Sequence, residues 1–165
     1  MAAPAAGPIK LNKLTFTIAS TTAEVGSLTF SGPSGNVASS TNVIYTTSGS
    51  TGTVRVWFDS TSNTADAEVG GGQTKTYTLR GTLSLTGTNT TGSISAALAA
   101  DTAYPSLSGF TTAATALTGS NNVWSPMTTT SPAAVGSDWT NSYGLGGCFA
   151  SSGIGNNCTA RVIAK

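Results

Sequence analysis

The chain has 165 residues, a formal net charge of +1, only 8% charged residues and no histidine. That length suffices for one domain with a real core. The neutral, charge-poor composition excludes the clustered Lys and Arg that a phosphate backbone demands, so nucleic acid is not an expected partner.

Ser and Thr supply about a third of the residues, far above ordinary usage. Disorder needs low hydrophobicity with high net charge, and that combination is absent. Threonine suits a pleated, half-buried surface. The composition reads as an all-β domain with hydroxyl-covered outer faces.

Residues 1–8, MAAPAAGP, read as a flexible arm or linker, and residues 9–165 as a single domain. In IKLNKLTFTI, Leu14, Phe16 and Ile18 share one face, while Lys13, Thr15 and Thr17 share the other. Period two is the signature of a half-buried strand. SLTFSG places Leu28 and Phe30 inward and stops at the turn GPSGN. NVIYTT is a third strand. GTVRVWFD is a fourth, with Val54, Val56 and Phe58 inward and Arg55 and Trp57 outward.

A loop of turn formers, DSTSNTADAEVGGGQ, comes next. TKTYTLRGTLSL then puts Tyr77, Leu79, Leu83 and Leu85 on one face, with Gly81 breaking the row as a bulge or bend. GSISAALAA is read as a strand carrying Ile94, Ala96 and Leu98. A segment of about forty residues without periodicity follows, which is unusual inside a compact domain. Its aromatics Tyr104, Phe110, Trp124 and Trp139 are expected to anchor it to the body. TARVIA is the last strand. Short strands separated by Gly/Ser/Asn turns, with no convincing amphipathic helix, predict a β-sandwich, Ig-like or jelly-roll, with a long aromatic-anchored C-terminal loop region.

The absence of histidine excludes Ser-His-Asp and Cys-His catalysis. A glycosidase needs two carboxylates across a cleft, and most of the six acids here sit in turns. No enzymatic activity and no cofactor are expected. Asp59, Asn63, Asp66 and Glu68 form the one cluster of oxygen ligands able to hold a structural Ca²⁺, but without the EF-hand pattern. Cys148 and Cys158, with nine residues between them that include Gly and Asn, suit a disulfide and an oxidising compartment better than two unpaired thiols or a zinc site. Asn89-Thr-Thr and Asn157-Cys-Thr fit the glycosylation acceptor pattern. A self-catalysed Lys–Asn isopeptide bond would need a Lys and an Asn buried beside an acid. Alternation sets Lys13 on the outward face, which argues against one.

The stretch Val123 to Asn141 frames a Thr/Ser/Pro/Ala/Gly loop with two of the three tryptophans. Trp57, Trp124 and Trp139 are candidate ligand-contact aromatics, for a polysaccharide in particular. The competing reading, that Trp124 and Trp139 seal one end of the sandwich, is preferred because a chain so poor in aromatics needs them inside.

The Trp-Ser of Trp124 and Ser125, the Ser/Thr-rich spacer, and the run Asp-Trp-Thr-Asn-Ser-Tyr from Asp138 to Tyr143 carry a resemblance. So do KLNKLTFTIASTTAEV, TKTYTLRGTLSLTG and the Asp-Thr-Ala-Tyr-Pro of Asp101 to Pro105. Together they resemble the C-terminal region of large secreted, Thr/Ser-rich surface proteins of candidate phyla radiation bacteria, from about Leu11 onward. The resemblance implies β-sandwich modules at the cell surface and no catalytic residues. The sequence departs from it after Tyr143, where the two cysteines lie.

No apolar run reaches transmembrane length, and MAAPAAGPIK has neither region of a signal peptide. Composition nevertheless favours an extracellular or cell-surface setting. The expected function is a non-enzymatic structural module or filament subunit that joins like subunits or neighbouring surface modules by strand addition. Ile9 and Leu11 of the arm are expected to fill a neighbour's pockets. A carbohydrate-binding adhesin module and a virion jelly-roll protein are the alternatives.

Overall fold

The alternation that opens the chain becomes β1 (Ile9–Thr21), the longest strand. The computed structural model describes residues 1, 3, 5–36, 43–48, 50–58, 64–103, 120–127, 139–143 and 161–164. On one edge β1 pairs antiparallel with β5 (Thr51–Trp57), which pairs in turn with β4 (Val43–Ser48). β6 (Glu68–Val69) continues that edge at Ile9 and Lys10. On the other edge β1 pairs with β8 (Ser93–Leu98) over Phe16–Thr21 and with β9 (Val123–Ser125) over Lys10–Lys13. β10 (Thr140–Asn141) adds to β9, and β11 (Arg161–Ala164) to β8. The second sheet is β3 (Gly35–Asn36), β2 (Ala23–Gly32) and β7 (Thr78–Leu85). A single helical turn, α1 (Thr64–Ala67), precedes β6. The fold is an all-β sandwich of two antiparallel sheets.

The chain passes from the large sheet to the small one at Thr22, whose φ of 52° lies in the left-handed region. Its hydroxyl donates to Thr91 O at 2.6 Å and its carbonyl accepts from Thr86 N at 3.0 Å, so the corner is tied down on both sides.

Between the sheets lie Leu11, Leu14, Ile18, Phe30, Val54, Val56 and Phe58, all buried. Four rings stack through this core. Phe30 lies parallel to Tyr77 at 5.8 Å, edge-on to Phe58 at 6.0 Å, and tilted against Phe16 at 6.0 Å. Such pairs add about 0.5–1.5 kcal/mol each beyond the area they bury. Phe16, Leu79 and Leu83, expected to be fully buried, are only half-buried. β7 ends its sheet, so its inward leucines are covered from one side only.

Two bulges explain where strict alternation fails. Leu11 pairs with Trp124 and Lys13 with Val123, so Asn12 is an extra residue in β1. A one-residue slip reverses faces. It turns Leu11 to the same side as Leu14, although the two are three apart. In β2, Ser27 and Leu28 together oppose Gly81, with Ser27 at a φ of 47°. The bulge brings both Val25 and Leu28 to the core side. Gly81 is needed beneath it, since a Cβ there would meet Leu28 Cδ2 at 3.0 Å and Val25 Cγ1 at 3.1 Å.

The N-terminal residues depart from the expected flexible arm. Ala3 is buried and donates its N–H to Gln73 O at 3.0 Å. The Met1 amino group donates to Lys75 O, and Lys75 N donates back to Met1 O, both at 2.8 Å. Ile9 packs with Ala3 and Val69, and Leu11 is 1% exposed within the chain's own core. Side chains spent on their own core are not free to fill a neighbour's pockets, so the assignment of Ile9 and Leu11 as donor residues is corrected.

Truncating Phe30 removes the centre of the ring cluster, so Phe30→Ala should cost about 3–5 kcal/mol in a urea melt. Thr17→Ala, on the exposed outer face, should stay within about 0.5 kcal/mol. Equal losses would mean that the faces are misassigned.

Candidate functional site: the tryptophan closure and the open edges

On the edge of β1 that faces β8 and β9, β9 stops at Lys13 and β8 begins at Phe16. The intervening Thr15 needs partners, because an unpaired buried backbone group costs as much as a lost hydrogen bond. Ala99 N donates to Thr15 O at 2.8 Å, and Thr15 N donates to Asn122 Oδ1 at 3.3 Å. Asn122 Nδ2 donates to Ala99 O at 2.5 Å. The side-chain amide of Asn122 thus stands in the ladder as a substitute peptide group and bridges β9 to β8.

Asp101 holds this bridge in place. Its carboxylate is 2% exposed. Oδ1 accepts from Asn121 N at 2.5 Å, and Oδ2 from Asn122 N at 3.2 Å, Ser142 N at 3.0 Å and the Ser142 hydroxyl at 2.6 Å. Asn141 is equally enclosed. It donates to Ala103 O at 2.7 Å and to Ser120 Oγ at 3.2 Å, and it accepts from Tyr143 N at 3.1 Å. Segments 99–103, 120–125 and 139–143 are therefore laced to one another and to β1.

The closure covers the outward face of the large sheet at this end. Lys13 and Thr15 do point outward, as alternation requires, but they are 3% and 2% exposed. Lys13 Nζ donates to Ser120 O at 2.5 Å and lies 5.0 Å from the Trp57 ring centre. Burial, and secondarily the charge of Arg55, lower the Lys13 pKa, and Asp101 opposes them. Beyond the closure the same face is open: Thr17, Arg55 and Thr46 are exposed.

The three tryptophans divide between the two faces of the sheet. Trp57 and Trp139 are buried together with Val123 on the outer face. Trp124 is half-buried on the opposite side of the sheet, packed against the main core, with Nε1 donating to Asn141 O at 3.0 Å. The two tryptophans framing the loop thus grip the sheet from its two faces. That is a structural closure, and it leaves no common aromatic platform among Trp57, Trp124 and Trp139.

The proposed calcium ligands are not brought together. Asp66 is buried, and its two oxygens accept Ser34 N at 3.2 and 3.1 Å. Glu68 is exposed on β6. Asp59 and Asn63 lie outside the described residues, as do Cys148 and Cys158. Among the described residues no three His, Cys, Asp or Glu side chains gather as a metal site, and no helix is long and apolar enough to cross a membrane. Beside Asp66, the Tyr77 hydroxyl donates to its carbonyl at 2.5 Å. Burial first, and then the Asp66 charge, push the Tyr77 phenol up to about 12.

The other feature of note is a pair of sheet edges. β4 ends the path through β9, β1 and β5, and β7 ends the small sheet, each with no further partner among the described residues. Beside β7 a groove of about 110 Å³ opens between the sheets, lined by Ile18, Val25, Leu28, Leu79, Leu83 and Ile94 among others. Natural edges are guarded by Lys, Pro or inward charge. Here VIYTTS has no charge and TLRGTLSL has only Arg80.

Comparison with protein-family models, with curated proteins and with solved structures finds no match.

Two outcomes follow from the closure and from Tyr77. Asp101→Ala strands three amides and a hydroxyl, and each unsatisfied buried donor costs about 1–3 kcal/mol. The variant should lose at least about 3 kcal/mol in a denaturant melt, and a smaller loss than Thr17→Ala would remove Asp101 as the anchor. The folded state keeps the Tyr77 proton where the unfolded chain releases it. Its contribution is complete below pH 10 and is lost as pH rises from 10 toward 12. Melting temperature should fall across that window, and Tyr77→Phe should flatten the fall.

Proposed function

We propose that this chain is a non-enzymatic structural module of a cell surface or appendage, which joins to like copies by strand pairing. The observation that carries this reading is the pair of unguarded edges, β4 and β7. β4 stands beyond β5 on one side of β1, while β7 shares its groove with Ile94 of β8 on the other. The edges therefore lie on opposite flanks. Pairing the β4 of one copy with the β7 of the next is a head-to-tail contact, and contacts that do not close on themselves propagate as filaments. Main-chain hydrogen bonds supply the affinity, and the low net charge leaves little repulsion between copies.

The hydroxyl-rich, charge-poor composition and the resemblance to secreted surface proteins support the setting. The burial of Trp57 and Trp139 weighs against a sugar-binding platform. In place of the N-terminal arm, the joining element is an edge that the fold already presents.

Light scattering and negative-stain microscopy of the full chain test the reading. The wild type should form concentration-dependent linear assemblies. Thr82→Lys with Ser84→Lys, two charges on exposed positions of β7, should give a monomer of unchanged melting temperature. A wild type that stays monomeric at high concentration, or a variant that assembles as well, removes strand pairing at β7. Closed shells would point to a virion protein instead.

A further inference from the structure

Lys13 is a primary amine enclosed under the closure, and a cross-strand row sets a carboxamide within its range. Asn141 pairs with Val123, Val123 with Lys13, and Lys13 with Trp57. Directly paired antiparallel residues present their side chains to the same face, so all four stand on the outer face beneath the closure. Val123, between the two polar residues, is fully buried. Two strand spacings separate Lys13 from Asn141, roughly 10 Å between Cα atoms.

Both side chains lean across Val123 toward one residue. Lys13 Nζ donates to Ser120 O at 2.5 Å, and Asn141 Nδ2 donates to Ser120 Oγ at 3.2 Å. Lys13 is 3% exposed and Asn141 2%. The Trp57 ring walls the amine on one side at 5.0 Å. Asp101, also 2% exposed, binds the N–H and hydroxyl of Ser142, the residue next to Asn141. A buried amine and a buried carboxamide thus converge on Ser120 in a water-poor site with an aromatic wall, and the buried Asp101 carboxylate fixes the adjoining Ser142. Asn122 is the less suitable carboxamide, because its amide is held within the sheet ladder by Thr15 N and Ala99 O.

We propose that Lys13 and Asn141 are a self-processing pair that forms an intramolecular isopeptide bond between β1 and β10. The neutral Lys13 amine leaves the Ser120 carbonyl and attacks the Asn141 side-chain carbon. The Nζ–Cγ bond forms and the Cγ–Nδ2 bond breaks. A proton passes from Nζ to the departing nitrogen, and ammonia is released. No oxidant, metal or second substrate is required. Burial favours the neutral amine, which is the nucleophilic form. The product would tie the closure to the central strand covalently, whether or not the chain assembles into filaments.

Intact mass under reducing, denaturing conditions decides it, with Lys13→Arg measured alongside. The wild type should fall short of its sequence mass by the mass of ammonia, about 17 Da. The variant should show no such deficit, and a digest of the wild type should yield a branched peptide joining Lys13 to Asn141. A wild type at full sequence mass overturns the proposal, and this holds even if Lys13→Arg fails to fold. A deficit that persists in Lys13→Arg, or a branch that maps to a different asparagine, overturns it as well.

Discussion

A strand at the centre of a sheet must have every backbone group paired, and the architecture of this protein turns on one place where strands alone do not manage it. At Thr15 the edge of β1 passes from β9 to β8. Asn122 supplies the missing donor and acceptor from its side chain, and Asp101 fixes the backbone that carries Asn122. A side-chain amide can replace a peptide group only if it is held in one orientation. That need accounts for the density of hydrogen bonds around it: the Asp101 carboxylate accepts four, Ser142 is bound through both N–H and hydroxyl, and the Asn141 side chain makes three. A half-satisfied network would be worse than an apolar core, since a buried polar group in low dielectric is costly when unpaired.

The network also settles how the large sheet is covered. The small sheet shields one face, and the closure shields one end of the other. Trp139 can bury itself on Trp57 only because the polar lacing brings residues 139–143 over β1 and β9. Hydrophobic burial and hydrogen bonding divide the work here. The first supplies the larger share of the free energy, and the second decides which segment goes where.

Much of the fold was legible in the sequence because period two survives composition. Val54, Val56, Phe58, Phe30 and Ile18 read as core and are buried, while Arg55 and Thr17 read as surface and are exposed. Gly81 announced an irregularity, and a bulge stands opposite it in β2. What alternation could not show is a second cover. Lys13, Thr15 and Trp57 are on the face the pattern gave them, yet a segment more than one hundred residues later lies over Lys13 and Thr15. Nor could it show the extra residue at Asn12, because a bulge leaves no mark unless Gly or a turn former sits in it. β9 and β10 are too short to have a period. Their positions were signalled only by Trp124 and Trp139, which also stand in the motifs that carry the resemblance at this end.

The contrast between the two ends of the hydrogen-bonding inventory bears on function. At the closure, a chain with few charges and many hydroxyls and amides places two of its thirteen charged residues, Lys13 and Asp101, in the interior. At β4 and β7 it presents six and eight residues of strand with one charge in total. Selection for solubility alone would favour the reverse arrangement, with charges at the edges and apolar groups inside. Charge placed at the closure, with the β4 and β7 edges unpaired among the described residues, is the pattern from which the proposed strand pairing is argued. Were copies to pair there as proposed, each edge would become an interior strand, and guarding charges would be buried at a cost. On the proposed reading, the poverty of charge from Thr15 to Thr53, broken only by Glu24, would serve an assembled state rather than the isolated domain.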